Sequence, residues 1–218
     1  MPALDQDARH TAKALPQQAR ALRTRERLIE AGRNAFAKFG VDGANLADDI
    51  LGPAGVSVGS FYHQFADKTE LLLAIISDGV DARYGLVVDQ GLSEEHSSLE
   101  DMISAGFRRF FESLDSDRFV WRIQMAEQNN PDPRVHALAL NGRQRWVQLI
   151  AAALRPWTDA DDDAVVSAAT LLMTLATGTA NVYLGMSDDH RQTHRTSTLE
   201  TTVRFSTAGL GPILGSHR

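Results

Sequence analysis

Residues 54–68 have the sequence Ala54-Gly55-Val56-Ser57-Val58-Gly59-Ser60-Phe61-Tyr62-His63-Gln64-Phe65-Ala66-Asp67-Lys68. Gly55 suits a tight turn, because glycine adopts left-handed backbone conformations without steric cost. Ser57 is a good N-cap for a short third helix over residues 58–65, and Asp67 is a good cap for a fourth helix. Phe61 and Phe65 lie four residues apart and share one face of the third helix. This order predicts a helix-turn-helix, a motif that places a short helix in the DNA major groove.

The residues before this segment predict a long first helix. Beyond the first twenty residues, apolar side chains recur at helical spacing, with arginines on the opposite face. Gly40 is expected to end this helix. Leu46 and Ile50 of a second helix are then expected to pack on Phe36 and Phe39.

The second helix is predicted to begin behind Asn45 as N-cap, with Asp48 and Asp49 in its first turn, where acidic residues are favourable. Gly52-Pro53 follows before the turn. Proline lacks an amide hydrogen and clashes with the carbonyl four residues earlier, here that of Asp49. The second helix is therefore expected to be short or kinked.

The rest of the chain predicts helices throughout. No run alternates with period two, so the fold class is expected to be all-α, with about nine helices. The chain divides into a flexible arm (1–20), a DNA-binding domain (21–68) and an effector-binding and dimerisation domain (69–218). The later helices are expected over residues 98–114, 118–128, 133–154, 161–184 and 194–210, with a loop over 187–191.

Charge is distributed unevenly along the chain. The net charge is −6, yet residues 1–38 contain eight Lys or Arg and four Asp or Glu, so this part is basic and the remainder acidic. A polyanion would therefore meet the N-terminal part, although a solvated basic tail explains the same count. The chain contains no cysteine. This excludes disulfides, thiol nucleophiles and cysteine-ligated zinc, and it fits a cytoplasmic location.

One long segment is uncharged. Residues 164–187 contain no Asp, Glu, Lys or Arg, which is long enough to span a bilayer. Serine, threonine, glycine and asparagine interrupt it, and this composition is more typical of a helix buried in protein. We therefore expect a core or dimer-interface helix and no membrane association. The first twenty residues are polar and lack the apolar stretch of a secretory signal.

The N-terminal third resembles the tetracycline-repressor (TetR) family of bacterial transcription factors. The resemblance covers residues 25–73 and is carried by Phe36-Ala37-Lys38-Phe39-Gly40, Ala54-Gly55-Val56-Ser57, Phe61-Tyr62-His63-Gln64-Phe65 and Lys68-Thr69-Glu70-Leu71. It implies a ligand-responsive regulator, expected to be a repressor, that binds a palindromic operator as a homodimer and is released by a small-molecule effector. An activator would have the same residue types. No cofactor and no enzymatic activity are expected.

The resemblance also implies a set of DNA-binding residues. Short residues at the head of the third helix would approach bases, and Gln64 has the groups for a bidentate contact with adenine. Tyr62, Lys68 and Asn45 would contact phosphates, although the spacing from Gly40 to Gly55, about one residue longer than usual, puts the Asn45 contact in doubt. The set is Arg23, Arg25, Asn45, Ser57, Val58, Gly59, Ser60, Tyr62, His63, Gln64 and Lys68. Half-buried packing for Tyr62, water-mediated contacts for His63 and Gln64, and an ordinary surface position for Lys68 are the alternatives.

The C-terminal part contains candidates for an effector pocket, although residues of these types more often belong to the core than contact a ligand. They are Phe107, Phe110, Phe111, Trp121, Met125, Trp146, Met173 and Tyr183. Arg108 and Arg122 are candidates to neutralise an acidic ligand or to form surface salt bridges. The sequence does not identify the ligand.

The last two helices are expected to form the homodimer. Small residues such as Ala168, Ala169, Ala176 and Gly178 would allow close helix approach, and two-fold pairing would give a four-helix interface. The resemblance then implies two third helices about one DNA turn apart, ~34–36 Å or somewhat more.

Two other functions are compatible with an all-helical chain. One is a small-molecule-binding protein or enzyme whose N-terminal helices do not bind DNA, and the other is a protein–protein adaptor. His190 and His194 have the spacing of metal ligands on a helix, but their polar surroundings favour a solvated loop. No metal site and no catalytic residues are therefore predicted.

Overall fold

The computed structural model describes residues 17–92 and 95–215. Within these ranges the regular structure is entirely helical, which confirms the predicted all-α fold. We number the helices in chain order. They are α1 (Gln17–Gly43), α2 (Leu46–Leu51 continued by Gly52–Ala54), α3 (Val58–Tyr62), α4 (Lys68–Tyr84, continued by Gly85–Leu92), α5 (Leu99–Ser116), α6 (Arg118–Ala126), α7 (Pro133–Leu154), α8 (Asp162–Gly185) and α9 (Asp188–Leu214).

The chain forms two compact units, divided between Leu72 and Leu73. The first contains α1 to α3 and the start of α4. The second contains the rest of α4 and α5 to α9. Each unit has its own buried apolar core.

The core of the first unit is built from aromatic and branched side chains of all its helices. Leu28, Ile50, Phe61 and Leu71 are fully buried, and the Phe61 ring lies 5.9 Å from that of Phe65. The prediction that Phe39 packs in this core is wrong. Its side chain is 43% exposed, and the Lys38 Nζ atom lies 4.6 Å from the centroid of the Phe39 ring.

Gly40 explains the exposure of Phe39. It has φ 71° and ψ 170°, so the regular helix of α1 is broken there, as expected. The chain changes direction after this residue, and Val41 and Ala44 bury their side chains in the first unit.

Helix α2, which was predicted to be short or kinked, begins with a π-helical turn. Asn45 caps it as predicted, because its Oδ1 accepts hydrogen bonds from the amides of Ala47 (2.8 Å) and Asp48 (3.1 Å). Residues Leu46–Leu51 form a π-helical turn, and the Gly52 amide donates to the Ala47 carbonyl five residues earlier. A π-helical turn holds one more residue than an α-helical turn. This turn therefore accommodates the extra residue, and Pro53 lies in the last short stretch of the helix.

Several helix ends differ from the prediction. Helix α1 begins at Gln17, so residues 17–20 of the predicted flexible arm are helical, and residues 1–16 of that arm lie outside the described residues. Helix α3 ends at Tyr62 rather than Phe65, because the Gln64 and Phe65 amides both donate to the Phe61 carbonyl in a closing turn. The predicted loop over 187–191 is helical instead. Ser187 caps α9, with Asp188 and Asp189 in the first turn, where their charges favour the helix N-terminus.

The second unit packs four long helices, α5, α7, α8 and α9, around one apolar core. Ala168 and Ala169 of α8 are fully buried inside this core. They therefore allow close packing within one protomer, and their predicted place in the dimer interface is wrong. By length and composition, α8 is also long and apolar enough to cross a membrane, with 28% of its most apolar window buried.

Candidate nucleic-acid interface and ligand cavity

The turn before α3 is held by α1. Gly55 has φ 57° and ψ 42°, the left-handed conformation that the sequence predicts for the turn. The Arg27 Nη2 atom donates hydrogen bonds to the carbonyls of Ala54 and of Gly55, the latter at 2.8 Å. A Cβ atom at position 55 would lie 2.6 Å from the same Nη2. Glycine is therefore favoured here by its φ angle, and a side chain at this position would also displace the Arg27 guanidinium.

Ser57 orients α3 at its N-terminus. Its Oγ accepts a hydrogen bond from the Ser60 amide at 3.2 Å, which confirms the predicted cap, and the two hydroxyls are 2.9 Å apart. Phe61 fixes the inner side of the helix in the core. The cap and this anchor determine which side chains of α3 point outward.

The outward side of α3 presents small and aromatic residues to solvent. We call this surface the α3 face, made of Val58, Gly59, Ser60, Tyr62 and His63. Val58 is 54% exposed and Tyr62 is 57% exposed, and a Cβ atom at Gly59 would meet nothing within 4 Å. The packing of the protein therefore does not require glycine at 59, although glycine weakens a helix relative to alanine.

Lys68 has a structural role within the first unit. Its Nζ donates hydrogen bonds to the carbonyls of Val41 (2.7 Å) and Ala44 (2.8 Å) and lies 3.5 Å from that of Asp42. A positive charge at these carbonyls stabilises the C-terminal end of α1. The ammonium is thus engaged inside the first unit, and its predicted phosphate contact stays a prediction.

The other predicted cations lie on α1. Arg23 is exposed, while Arg25 is half-buried with its guanidinium carbon 4.7 Å from the centroid of the Phe65 ring. Gln64 is half-buried beyond the end of α3. Nothing in these positions conflicts with their predicted contacts, which stay predictions.

The second unit contains an apolar cavity of about 100 Å³ between its helices. Five of the eight predicted pocket residues line it: Phe107, Phe110, Trp121, Trp146 and Met173. The remaining three, Phe111, Met125 and Tyr183, do not, so their predicted place in the pocket is wrong. Arg108 and Arg122 are exposed and lie outside the lining as well.

Tyr183 and Phe111 stabilise the core instead. Their rings are 5.1 Å apart, and the Tyr183 hydroxyl donates to Asp115 Oδ1 at 2.9 Å. Burial, together with this carboxylate, raises the pKa of Tyr183 to about 12. Asp115 Oδ2 also accepts a hydrogen bond from Arg195 Nε at 2.8 Å, which links α5 to α9.

Arg83 is a cavity residue that the sequence did not indicate. It is 4% exposed and belongs to α4, and its guanidinium carbon lies 4.2 Å from the centroid of the Trp121 ring. Its Nη2 donates to Gln124 Oε1 at 2.6 Å. An isolated arginine in a helix usually faces solvent, so no local pattern marks this one as buried.

An apolar groove runs along α8 and α9. Its lining includes Leu171, Leu175 and Val182 of α8 and Phe205 and Ile213 of α9. Phe205 is 69% exposed, and Leu171 and Val182 are more than half exposed. Large apolar side chains clustered on a surface mark interaction sites in soluble proteins.

The histidine pair lies on a helix rather than in a loop. His190 and His194 are one turn apart on α9, with ring centroids 4.3 Å apart. Within residues 17–92 and 95–215, no group of three or more His, Asp or Glu side chains is arranged to hold a metal ion.

Comparison with known proteins connects these features to a family. The model of "Bacterial regulatory proteins, tetR family" matches residues 28–75, which include α2, α3 and the turn. The transcriptional repressor AcnR of Corynebacterium efficiens is 26% identical over 117 residues, 52% of this chain and 55% of the repressor. The matching region thus spans about half the length of that curated relative.

Solved structures extend the likeness in fold over most of the chain. Salmonella enterica GusR superimposes with a TM-score of 0.68 at 21% identity, covering 88% of this chain and 96% of GusR. SCO4454, a TetR-family transcriptional regulator from Streptomyces coelicolor, superimposes with a TM-score of 0.69 at 20% identity, covering 89% of this chain and 97% of SCO4454. The family match over α2, α3 and the turn and the likeness in fold therefore agree: residues 28–75 are similar to the DNA-binding part of TetR-family regulators, and the described chain has the fold of solved TetR-family proteins.

Proposed function

We propose that the protein is a ligand-responsive transcriptional repressor of the cytoplasm that binds a palindromic DNA operator as a homodimer. A small-molecule effector in the cavity of the second unit would release it. The observation that carries this proposal is the α3 face, an exposed surface that folding alone does not explain. The similarity to proteins named as repressors supports repression rather than activation.

The α3 face has the properties of a surface that enters the major groove. Gly59 lacks a side chain where the backbone would come closest to the bases, and Ser57 and Ser60 present short polar groups. Val58 offers an apolar contact of the kind that recognises the thymine methyl group. His63 and Gln64 follow along the groove as donors and acceptors for base edges.

Phosphate contacts would surround this face. Tyr62 is the last residue of α3, is more than half exposed and would donate its hydroxyl to a phosphate oxygen. Arg23 and Arg25 at the head of α1 supply positive charge, and Asn45 lies at the exposed start of α2. Such contacts hold the register of the protein on DNA and supply the salt-dependent part of the affinity.

The apolar groove of α8 and α9 supports a homodimer. Two copies related by a two-fold axis would cover their exposed Leu171, Val182 and Phe205 side chains with each other, because such an axis joins the same patch on both copies. Small Gly178 lies in this groove and allows close approach. The contact between the two copies would then explain why α8 carries a long stretch of exposed apolar side chains.

The effector would act by binding one conformation of the dimer more tightly than the other. A preference of ~100-fold corresponds to ~2.7 kcal/mol of coupling between the effector and DNA sites. The residues that line the cavity belong to the second unit, whereas the α3 face belongs to the first, so the two proposed sites share no residue.

Two substitutions test the phosphate contacts. Tyr62→Phe should weaken operator binding by about tenfold, since a hydrogen bond to a charged group contributes roughly 1.5 kcal/mol or more. It should leave the salt dependence unchanged because tyrosine carries no charge. Arg23→Ala should weaken binding and also reduce the slope of log K against log salt by about 1. Fluorescence anisotropy at several salt concentrations measures both effects.

Arg143→Ala, an exposed arginine on α7, is the matched control and should bind DNA like the unchanged protein. Denaturant unfolding should be similar for all three variants, because the substituted side chains are largely exposed. Equal affinity and slope for Tyr62→Phe, Arg23→Ala and Arg143→Ala would argue against DNA binding by this surface. The chain would then be a helical small-molecule-binding protein.

A further inference from the structure

Arg83 is a buried cation that lines an otherwise mostly apolar cavity. Side chains such as Val87, Phe110, Trp146 and Leu172 line the same space. Burial lowers the pKa of Arg83 to about 10, and the nearby Asp117 carboxylate opposes this shift. The guanidinium therefore stays positively charged at pH 7. A buried charge is costly unless a partner compensates it, and so it suggests a ligand.

Several donors at this position have no partner. Among the described residues, Arg83 Nε and Nη1 and Trp121 Nε1 form no hydrogen bond, although all three atoms are buried. Only Nη2 is bonded, to Gln124. Buried donors without partners are rare in native proteins and call for an explanation such as a bound group. Three orphaned donors on two stacked side chains indicate the place of one acceptor group.

Two further polar side chains of the cavity are already engaged. The Ser113 hydroxyl donates to the Phe110 carbonyl at 2.6 Å, and the Thr177 hydroxyl donates to the Met173 carbonyl at 2.9 Å. Within the part of the chain that the structure describes, the Arg83 guanidinium and the Trp121 indole N–H are thus the buried polar groups of this lining that lack partners and can hold a ligand. A second charged group on the ligand would be buried without a partner.

We propose that this cavity binds a small apolar molecule with a single carboxylate, held by Arg83 and the indole N–H of Trp121. The proposal deepens the proposed function, since this molecule would be the effector class. Arginine suits the role because its charge-assisted N–H donors match carboxylate oxygens. The cavity of about 100 Å³ is smaller than the ~150 Å³ cavity that holds benzene, so the apolar body is a short chain, or one ring that enters with a small outward shift of the lining side chains.

Calorimetric titration without DNA tests this proposal. The probes are benzoate and hexanoate, with benzyl alcohol and hexanol as uncharged analogues. We expect the acids to bind at least about tenfold more tightly than the alcohols. Arg83→Met should weaken benzoate binding by about 100-fold, and Trp121→Phe by about fivefold, because each removes donors to the carboxylate. Arg122→Met, an exposed arginine on the neighbouring helix, should bind benzoate like the unchanged protein.

The melting temperature without ligand separates ligand binding from a structural role. Arg83→Met should melt at the same or a higher temperature, because it replaces a buried charge, two of whose donor atoms lack partners, with an apolar side chain of similar length. A lower melting temperature would indicate that Arg83 serves the fold. Trp121→Phe retains the aromatic ring and gives a second test if Arg83→Met fails to fold.

Equal binding of acids and alcohols, undiminished benzoate binding by Arg83→Met, or no binding of any probe would overturn the proposal. Because the titration contains no DNA, a failure of operator binding would leave this result standing. The reverse also holds, since operator binding does not depend on the identity of the ligand.

Discussion

Gly59→Glu is expected to abolish specific DNA binding while leaving the protein folded. The position is exposed and a Cβ atom there meets nothing within 4 Å, so the new side chain has room in the free protein. Glutamate is also a better helix former than glycine, by roughly 0.5 kcal/mol or more. On DNA, however, the side chain and its negative charge would occupy the surface that approaches the bases and phosphates. Like charges brought together at an interface cost several kcal/mol, so affinity should fall at least ~100-fold.

Gly142→Glu is the matched control for this variant. Gly142 lies in α7 of the second unit, and its Cβ position is equally open. The same change of charge and helix propensity is thus made away from the α3 face. Anisotropy titrations with operator DNA and thermal unfolding should show two stable proteins, of which only Gly142→Glu binds. If Gly59→Glu bound the operator as tightly as Gly142→Glu, α3 would not be the helix in the groove.

Phe205→Asp is expected to convert the dimer into monomers. Phe205 is the most exposed of the large apolar side chains, at 69%, and lies in the groove of α8 and α9. Burying a phenylalanine stabilises an interface by roughly 1.5–3 kcal/mol, and a two-fold dimer buries Phe205 of both copies. Each aspartate would in addition bury an unpaired charge. The dimer dissociation constant should rise by at least ~1,000-fold.

Sedimentation velocity and operator titration measure the two consequences. A monomer would bind only one half-site at a time, so apparent operator affinity should fall by ~100-fold or more through the loss of the linked second site. Phe119→Asp is the control, since Phe119 is 43% exposed and lies outside the groove. It should stay dimeric. A Phe205→Asp variant that remains a dimer would place the interface elsewhere.

Local sequence patterns predicted much of the fold because they report local physics. Asn45 and Ser57 are caps in the structure, as their side chains and positions indicated. The bounds of α7 are those predicted. The apolar spacing of Phe61 and Phe65 placed both in the core. The extra residue before Gly55 was also visible in the sequence, although its accommodation by a π-helical turn was not.

Contacts between distant parts of the chain could not be predicted in this way. Lys68 bonds carbonyls at the end of α1, and Arg27 bonds carbonyls of the turn, each 24 or more residues away in sequence. Arg83 is buried because the helices of the second unit enclose it. In each case a charged side chain on a helix looks like a solvated one until tertiary packing is known. The pocket residues Phe111, Met125 and Tyr183 were wrongly assigned for the same reason, since composition does not distinguish core from cavity lining.

Operator selection by the unchanged protein tests the central claim most directly. The purified protein is incubated with a genomic fragment library that includes its own coding region, and bound fragments are measured individually at two salt concentrations with nonspecific competitor. We expect a palindromic fragment to be bound with a Kd of ~10 nM or tighter. Its affinity should fall at least ~100-fold between ~50 and ~200 mM salt. Weak binding to all fragments alike, or no binding by a folded dimer, would contradict the assignment of this protein as a DNA-binding regulator.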